Sequence, residues 1–587
     1  MTIYVSQSGS DGNDGVAGKP VRTLNKALEL ARRARAEEKR EIYLEEGMYE
    51  NTSVALDERD SGLTIHSGGK ATLCGGVKIT GWTKQGDGSY SAKIPDCIKP
   101  GIRLITVGGR LCERARFPRE GRLTHKSVFN SVWKSTSEGG WAVKPTEEQL
   151  TTVEYDPADI GADFDWENAE LTIFHKWDES MAGIASHDVE KHVFKLAAPL
   201  THPPGAYGSN TYIIWNTAAG MERGKWRADK RERMIYYMPF EGEDMQRAEV
   251  YAPVHDTIIG ISGELRGLTL NGLNFTMTST PATACGFGAT NMPGAIESSS
   301  ALKDCIFKNL TFSGLSGWGI KLVDTNKEVK FTERLRDTEK TVRPDGNRNV
   351  IIENCAVSDV GAGGLQLWSS GGGVVKNNKV ERAGRIYFSA IGIYTFGCEV
   401  AGNELRELPY TGIASIGGES INIHGNKIYD VMRELNDGAG IYATFSKNGR
   451  LTGNAVFGIA TQNNDDPGSI RNGLYLDEQT GGWIVEGNLT SGCASAMLNH
   501  MSKGNIIRNN AFVSQDGGVM LTFVRCEAYT VEDNAIQASG KVVIVQRRDA
   551  FSAFNNVMYS GAGVIESEYI GDDYKRSPRV KFNPFPD

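Results

Sequence analysis

The stretch Asn472-Gly473-Leu474-Tyr475-Leu476-Asp477-Glu478 carries a short apolar run into a carboxylate. The run reads as a strand, and Gly481-Gly482 just beyond it reads as a turn. Segments that begin in the same way, a glycine or alanine followed by apolar residues, recur at Gly364, Gly392, Gly412, Gly440, Ala496 and Gly518. Strand side chains alternate between faces, so the second and fourth residues after each glycine share one face. The second-position column is Gln366, Tyr394, Ala414, Tyr442, Tyr475 and Leu498. The fourth-position column is Trp368, Phe396, Ile416, Thr444, Asp477 and His500. Aromatic faces stack on the C–H faces of sugar rings, and carboxylates do acid–base work. Taken singly, each aromatic is most simply a residue covered by the chain's own loops, and a lone histidine is usually structural. Tyr442, Tyr475, Asp477 and His500 together favour a site, with Thr444, Trp368, Tyr394 and Glu478 as further candidates for binding substrate.

The elements that must position these residues repeat. Short strands end on Asn354, Asn378, Asn403, Asn426, Asn454, Asn488, Asn510, Asn534 and Asn556, at spacings of 24, 25, 23, 28, 34, 22, 24 and 22. A period in the low twenties without long helices is the signature of a parallel β-helix, each repeat being one rung. An asparagine at a fixed turn tolerates left-handed geometry, and its amide can bond the asparagine of the next rung. The two long spacings mark insertions, over 430–440 and 459–473, on either side of the rung that ends in Asp477. Insertions in a solenoid fall on one face, often the binding face.

The first half of the chain differs. Thr23 is an N-cap signal, and Leu24, Ala27, Leu28 and Ala31 form one apolar stripe, which predicts a helix that caps the coil's open end. The rung pattern vanishes between about 82 and 250, where alternating segments such as "AELTIFHKW" and "TYIIWNT" appear. The expected fold is all-β: a parallel β-helix with an inserted sandwich- or barrel-like domain. Residues 1–81 form the cap and first rung, 82–250 the insertion, and 251–587 the coil that carries the site.

Composition narrows the function. The chain has 587 residues, 69 of them glycine, and a net charge of -8. Weak acidity gives no reason to expect nucleic acid or an anionic membrane as partner. The nine cysteines are scattered without a C-x-x-C pair, which argues against a disulfide framework or a zinc cluster. The opening "MTIYVSQSGSDG" has no basic and apolar leader, and no run of 18 apolar residues occurs, so the expectation is a cytoplasmic protein without a membrane span. An oligosaccharide is the expected partner, and association into a homo-oligomer is left open. No cofactor is expected beyond a candidate structural calcium.

The opening "IYVSQSGSDGNDGVAGKPVRTLNKAL" is similar to that of many carbohydrate-active right-handed parallel β-helices. "VGGRLCERARFP", "MIYYMPFEGED", "NDGAGIYATFSKNGRLTGN" and "GLYLDEQTGGWIVEGN" resemble glycoside hydrolase family 141, which includes α-L-fucosidases and xylanases. The resemblance spans essentially the whole chain, and its motifs are moderately specific. It implies a catalytic pair of aspartates at Asp437 and Asp477. The architecture is also similar to family 120 β-xylosidases, where a glutamate stands one rung after the G-L-x-L-D aspartate. Here that position is His500, a departure that favours family 141.

Glycoside hydrolysis needs two carboxyls. Asp477 fits from the sequence alone. Asp437 lies three residues before Gly440, whereas Asp477 lies four after Gly473, so a straight strand would set them roughly 23 Å apart. They meet only if Asn436-Asp437-Gly438 bends. Glu478, Asp465, Asp466 and Glu434 are rival carboxylates, each on its own a solvated loop charge. Arg525, Arg547 and Arg548 could bind an acidic sugar but read more simply as surface charge. Two other functions stay open. One is a polysaccharide lyase acting on a uronate, with calcium held by "NNDDPGS" at 463–469. The other is a carbohydrate-binding solenoid without catalysis.

Overall fold

The computed structural model describes residues 1–33, 39–161, 164–281, 283–324, 346–459, 471–514, 519–547, 550–563, 565–570 and 580–582. The chain is all-β, and its coil is a right-handed parallel β-helix. Three faces stack in parallel. One runs from Thr2–Val5 through Arg40–Leu44 and Leu63–Cys74 to Thr269–Thr276, and continues through Asn422–His424, Arg450–Thr452 and Ile484–Glu486. A second passes through Lys427–Tyr429, Ala455–Phe457 and Leu489–Ser491. The third carries the glycine-led strands. Inward residues of all three fill one continuous apolar core. Helix Leu24–Ala31 is capped by the Thr23 side chain and buries Leu24, Ala27, Leu28 and Ala31 beside the first strands. Among the described residues no helix is long and apolar enough to cross a membrane.

Two features hold the register. In the first, each ladder asparagine from Asn378 to Asn534 donates its side-chain amide and its backbone N–H to the Oδ1 of the next, through Asn403, Asn426, Asn454, Asn488, Asn510, Asn534 and Asn556. These asparagines are buried, so the chain of amides satisfies groups that water cannot reach. Two corrections follow. The left-handed residue is not the ladder asparagine but the one before it: Asn377, Gly402, Gly425, Gly453, Gly487, Asn509 and Asp533 all have positive φ. Asn354 is itself such a left-handed residue, and Cys355 takes the ladder place, donating its N–H to Asn378. Second, the strands begin with glycine because successive rungs approach closely there. A Cβ on Gly412 would lie 2.6 Å from the Gly440 carbonyl oxygen, and one on Gly440 would lie 2.9 Å from that of Gly473.

Between Gly76 and Pro253 the chain leaves the coil. It builds sheets of four, five and seven strands with two hydrophobic cores of their own. This insertion returns to pack on the third face. Buried Glu170 accepts from Arg103 and Arg114, and Arg103 also donates to the Thr280 carbonyl of the coil.

Asn454→Ala removes the acceptor of two Asn426 donors and leaves Asn488 short of a donor. It should lower unfolding free energy by about 2–3 kcal/mol, since each stranded buried group costs about 1–3 kcal/mol. Denaturant titration measures this, and an unchanged midpoint would refute a stabilising ladder.

Candidate active site

The paired strands set the site columns in register. Ala414, Tyr442, Tyr475 and Leu498 are successive partners, as are Ile413, Ile441, Leu474 and Met497. This face is not open. The insertion covers it, and a cavity of about 1000 Å³ lies between the two. Asp437, Asp477, His500, Tyr442, Tyr475, Thr444, Trp368 and Glu478 all line it. Tyr394 does not and is corrected here. It is fully buried beneath the wall, edge-on to Trp368 and Phe287 with ring centroids 5.9 and 6.1 Å away. Where the column turns under Phe287, an outward tyrosine becomes a core residue.

Asp477 is held from both adjacent rungs. The Tyr442 hydroxyl donates to its Oδ2 at 2.7 Å, and His500 Nδ1 lies 2.7 Å from its Oδ1. Burial disfavours a charged His500, but the Asp477 hydrogen bond and the charges of Asp477, Asp437 and Glu478 outweigh it and raise the histidine's pKa. Burial likewise drives the hydroxyls of Tyr442 and Tyr475 well above the usual phenol range, so both remain donors.

The chain turns at Asp437. Asp437 has φ +54°, in the left-handed region, and strand Gly438–Thr444 starts immediately after it. The bend folds Asp437 over the sheet edge, where the Tyr410 hydroxyl donates to its carbonyl oxygen at 2.9 Å and the Tyr475 hydroxyl to its Oδ1 at 3.5 Å. Tyr475 packs edge-on against Tyr442, the tyrosine bonded to Asp477, with ring centroids 5.1 Å apart, so the two carboxyls are held by neighbouring tyrosines. Burial, reinforced by the Asp477 charge, raises the Asp437 pKa against the opposing pull of Lys176.

Glu478 has a different part from the one expected. Its carboxylate accepts the backbone N–H groups of Thr136 and Ser137 at 3.0 and 2.8 Å, pinning a loop of the insertion over the cavity. The other rivals also have structural partners: Glu434 pairs with Arg122 at 2.8 Å, and Arg525 with Glu138. Asp465, Asp466, Arg548, the Arg547 side chain and the 463–469 segment lie outside the described residues. Among the described residues no cluster of His, Cys, Asp and Glu could hold a metal.

Sequence reasoning missed the insertion's share of the wall. Strands Glu170–Phe174 and Glu179–Asp188 form a hairpin closed by the His175 N–H bond to the Asp178 carbonyl. Its tip docks on the coil through the Asn436 N–H bond to the Lys176 carbonyl. Trp177 and Asp178 of that tip line the cavity with Trp133, Trp141 and His202. The legible signal was two tryptophans around a Ser/Gly-rich loop, "WKSTSEGGW", and a third beside an aspartate in "FHKWDES".

Comparison with known proteins agrees with this fold. Residues 295–431 match a family model described as "Right handed beta helix region", and 433–571 match "Periplasmic copper-binding protein (NosD)". No curated protein matches the sequence. A solved structure described as a glycoside hydrolase superposes with a TM-score of 0.67 at 20% identity, over 87% of this chain and 96% of that one. The complex of XylC with xylose gives 0.53 at 13% identity, over 95% and 86%.

Two outcomes test the site's scaffolding. Glu478→Ala should leave the coil folded but raise the hydrogen-exchange rates of the Thr136 and Ser137 amides by about tenfold or more, because both lose their acceptor. Unchanged exchange would show that the loop is held by other contacts. His500 has a folded-state pKa raised above the ordinary value of 6.5. Its pairing therefore stabilises the fold fully below that value and is lost as pH rises through the higher folded one. The stability gap between the parent and His500→Gln should be largest in mild acid and shrink above neutrality. A gap that widens with pH in denaturant titrations would contradict the ion pair.

Proposed function

We propose that the chain is a glycoside hydrolase acting on plant-type oligosaccharides, with α-L-fucosides and β-xylosides the leading substrates. The observation that carries this reading is two carboxyls lining one aromatic-walled cavity, each bonded to one of two adjacent tyrosine hydroxyls, Asp437 to Tyr475 and Asp477 to Tyr442. The two rings meet edge-on with centroids 5.1 Å apart, which brings both carboxyls to one part of the cavity wall, the arrangement a glycosidase pair needs.

In this reading Asp437 is the proton donor. Burial and the neighbouring Asp477 charge favour its protonated form, which is what a leaving-group oxygen requires. Asp477 is the nucleophile or the base that activates water. The bonds from Tyr442 and His500 fix its orientation, and each of its oxygens keeps a lone pair for reaction. The ring nitrogen of His500 that does not face Asp477 is free to bind a sugar hydroxyl. Tyr442 and Tyr475 bound the same subsite.

The test is a panel of nitrophenyl glycosides, with α-L-fucoside, β-D-xyloside and α-L-arabinoside first, followed by oligosaccharides. Asp477→Asn should fold normally and lose several orders of magnitude in kcat. Asp437→Asn should lose the alkaline limb of the pH profile, because that limb records deprotonation of the donor. A dinitrophenyl glycoside needs little protonation, so it should partly restore Asp437→Asn but not Asp477→Asn. The opposite pattern would exchange the two roles. An unsaturated, ultraviolet-absorbing product in place of simple hydrolysis would overturn the reading in favour of a lyase.

A further inference from the structure

Asp178 is a further carboxyl of the cavity wall, beside Glu297 and Glu478, and the catalytic pair does not use it. It sits at the tip of the insertion's hairpin, only 1% exposed, and neither side-chain oxygen has a hydrogen-bond partner. His202 Nε2 lies 3.7 Å from Oδ2, beyond hydrogen-bonding distance. The His202 ring has other partners: its Nδ1 accepts the Trp141 indole N–H at 3.3 Å, and its Nε2 lies 3.5 Å from the Tyr207 hydroxyl. A buried carboxyl with two unpaired oxygens is costly and is normally satisfied by some partner.

The surroundings define that partner. Trp133, Trp141 and Trp177 line the cavity beside Asp178, with ring centroids 5.0 Å apart for Trp133–Trp141 and 5.6 Å for Trp133–Trp177. Tyr207 stands behind them, 4.3 Å from Trp177. An aromatic wall next to two free carboxyl oxygens matches a sugar ring, whose C–H face stacks while adjacent hydroxyls bond edge-on. Burial, reinforced by the charge of the neighbouring Glu179, raises the Asp178 pKa well above the usual carboxylate range, which favours the protonated acid. The neutral acid can donate to one hydroxyl and accept from the next.

Building on the glycosidase reading, we propose that Asp178 and the tryptophans around it form a sugar subsite supplied by the insertion, in which Asp178 binds two adjacent ring hydroxyls. Asp178 here positions substrate and takes no proton from the reacting bond. The coil supplies the chemistry and the insertion selects the sugar.

The test uses the full-length chain with p-nitrophenyl β-D-xyloside and α-L-fucoside and their monodeoxy derivatives. Binding is measured by calorimetry on the Asp477→Asn chain, and turnover on the parent. Loss of either hydroxyl of one adjacent pair should weaken binding by about tenfold or more, the usual worth of a buried hydrogen bond. Adding Asp178→Leu should weaken binding of the full sugar to the level of its deoxy analogue and abolish discrimination between them. Asp178→Asn, which keeps a donor and an acceptor, should stay within about threefold of the parent affinity. A merely structural role would not restore the deoxy discrimination in the Asn variant alone. If Asp178→Leu does not fold, Asp178→Ala reads the same discrimination. Discrimination that survives the loss of the carboxyl overturns the subsite and leaves the hydrolase standing. Binding that depends on Asp178, without turnover by the parent, overturns the hydrolase and leaves the subsite. Neither binding nor turnover with either glycoside overturns both.

Discussion

Asp477 takes its geometry from rungs it does not belong to. The tyrosine that donates to one of its oxygens comes from the rung before, and the histidine on the other from the rung after. Both contacts require three successive strands to be in register to within a fraction of a residue, since a one-residue slip turns every side chain to the opposite face. The site therefore depends on what fixes register: the amide ladder on one side of the coil and, on the other, the glycines whose missing Cβ lets rungs close up. The long insertions before Gly440 and Gly473 do not disturb it. Ile413, Ile441, Leu474 and Met497 remain partners across them. Pairing between the Gly440 and Gly473 rungs is already in register at Gly438 with Arg471, before either glycine.

A bare coil face would be a shallow groove open to water. The insertion changes its dielectric. Glu170, buried between Arg103 and Arg114 within the insertion, holds Arg103 where it donates to the Thr280 carbonyl of the coil. Burial alone would favour its neutral form, yet the two guanidiniums hold its carboxyl well below the usual range. Such a buried charge cluster is weak evidence for stability, but it is geometrically demanding, because any partner left unpaired is expensive. Together with the Glu478 clamp and the bond from Asn436 to Lys176, it leaves the roof one seating. Burial, to which the roof contributes, is the largest cause of the raised Asp437 pKa, while Lys176 of the same roof pulls the other way.

Much of this was legible because it repeats. The rung period, the glycine-led strands, the cap helix and the columns holding Tyr442, Tyr475, Thr444, Asp477 and His500 follow from spacing alone. The errors share a cause. Asn354 and Cys355 exchanged roles because a left-handed asparagine and a ladder asparagine look alike in sequence, and only the bond to Asn378 tells them apart. Tyr394 was misplaced because alternation gives a side chain's face but not what covers that face. The tryptophans of the 133–141 loop and of the hairpin tip stand out in the sequence, but their place at the site does not, because contacts such as Thr136 to Glu478 bridge 342 residues and no local pattern encodes a partner so distant. Asp437 came from resemblance, not pattern.

That last residue shows how a repeat acquires chemistry. A perfect solenoid presents the same side-chain direction at every rung, so its columns can line a surface but cannot bring two groups from different depths to one point. Asp477 obeys the repeat: it continues the column of Thr444 and precedes His500. Asp437 breaks it. The stretch from Asp430 to Asp437 contains three non-glycine residues at positive φ, namely Asp430, Met432 and Asp437, a conformation that side chains other than glycine adopt at some expense. The strain persists because the segment is tied on both sides, by Tyr410 beneath and by the insertion's hairpin above. One carboxyl supplied by the period and another by its interruption can meet across Tyr442 and Tyr475, and neither arrangement alone would bring them together.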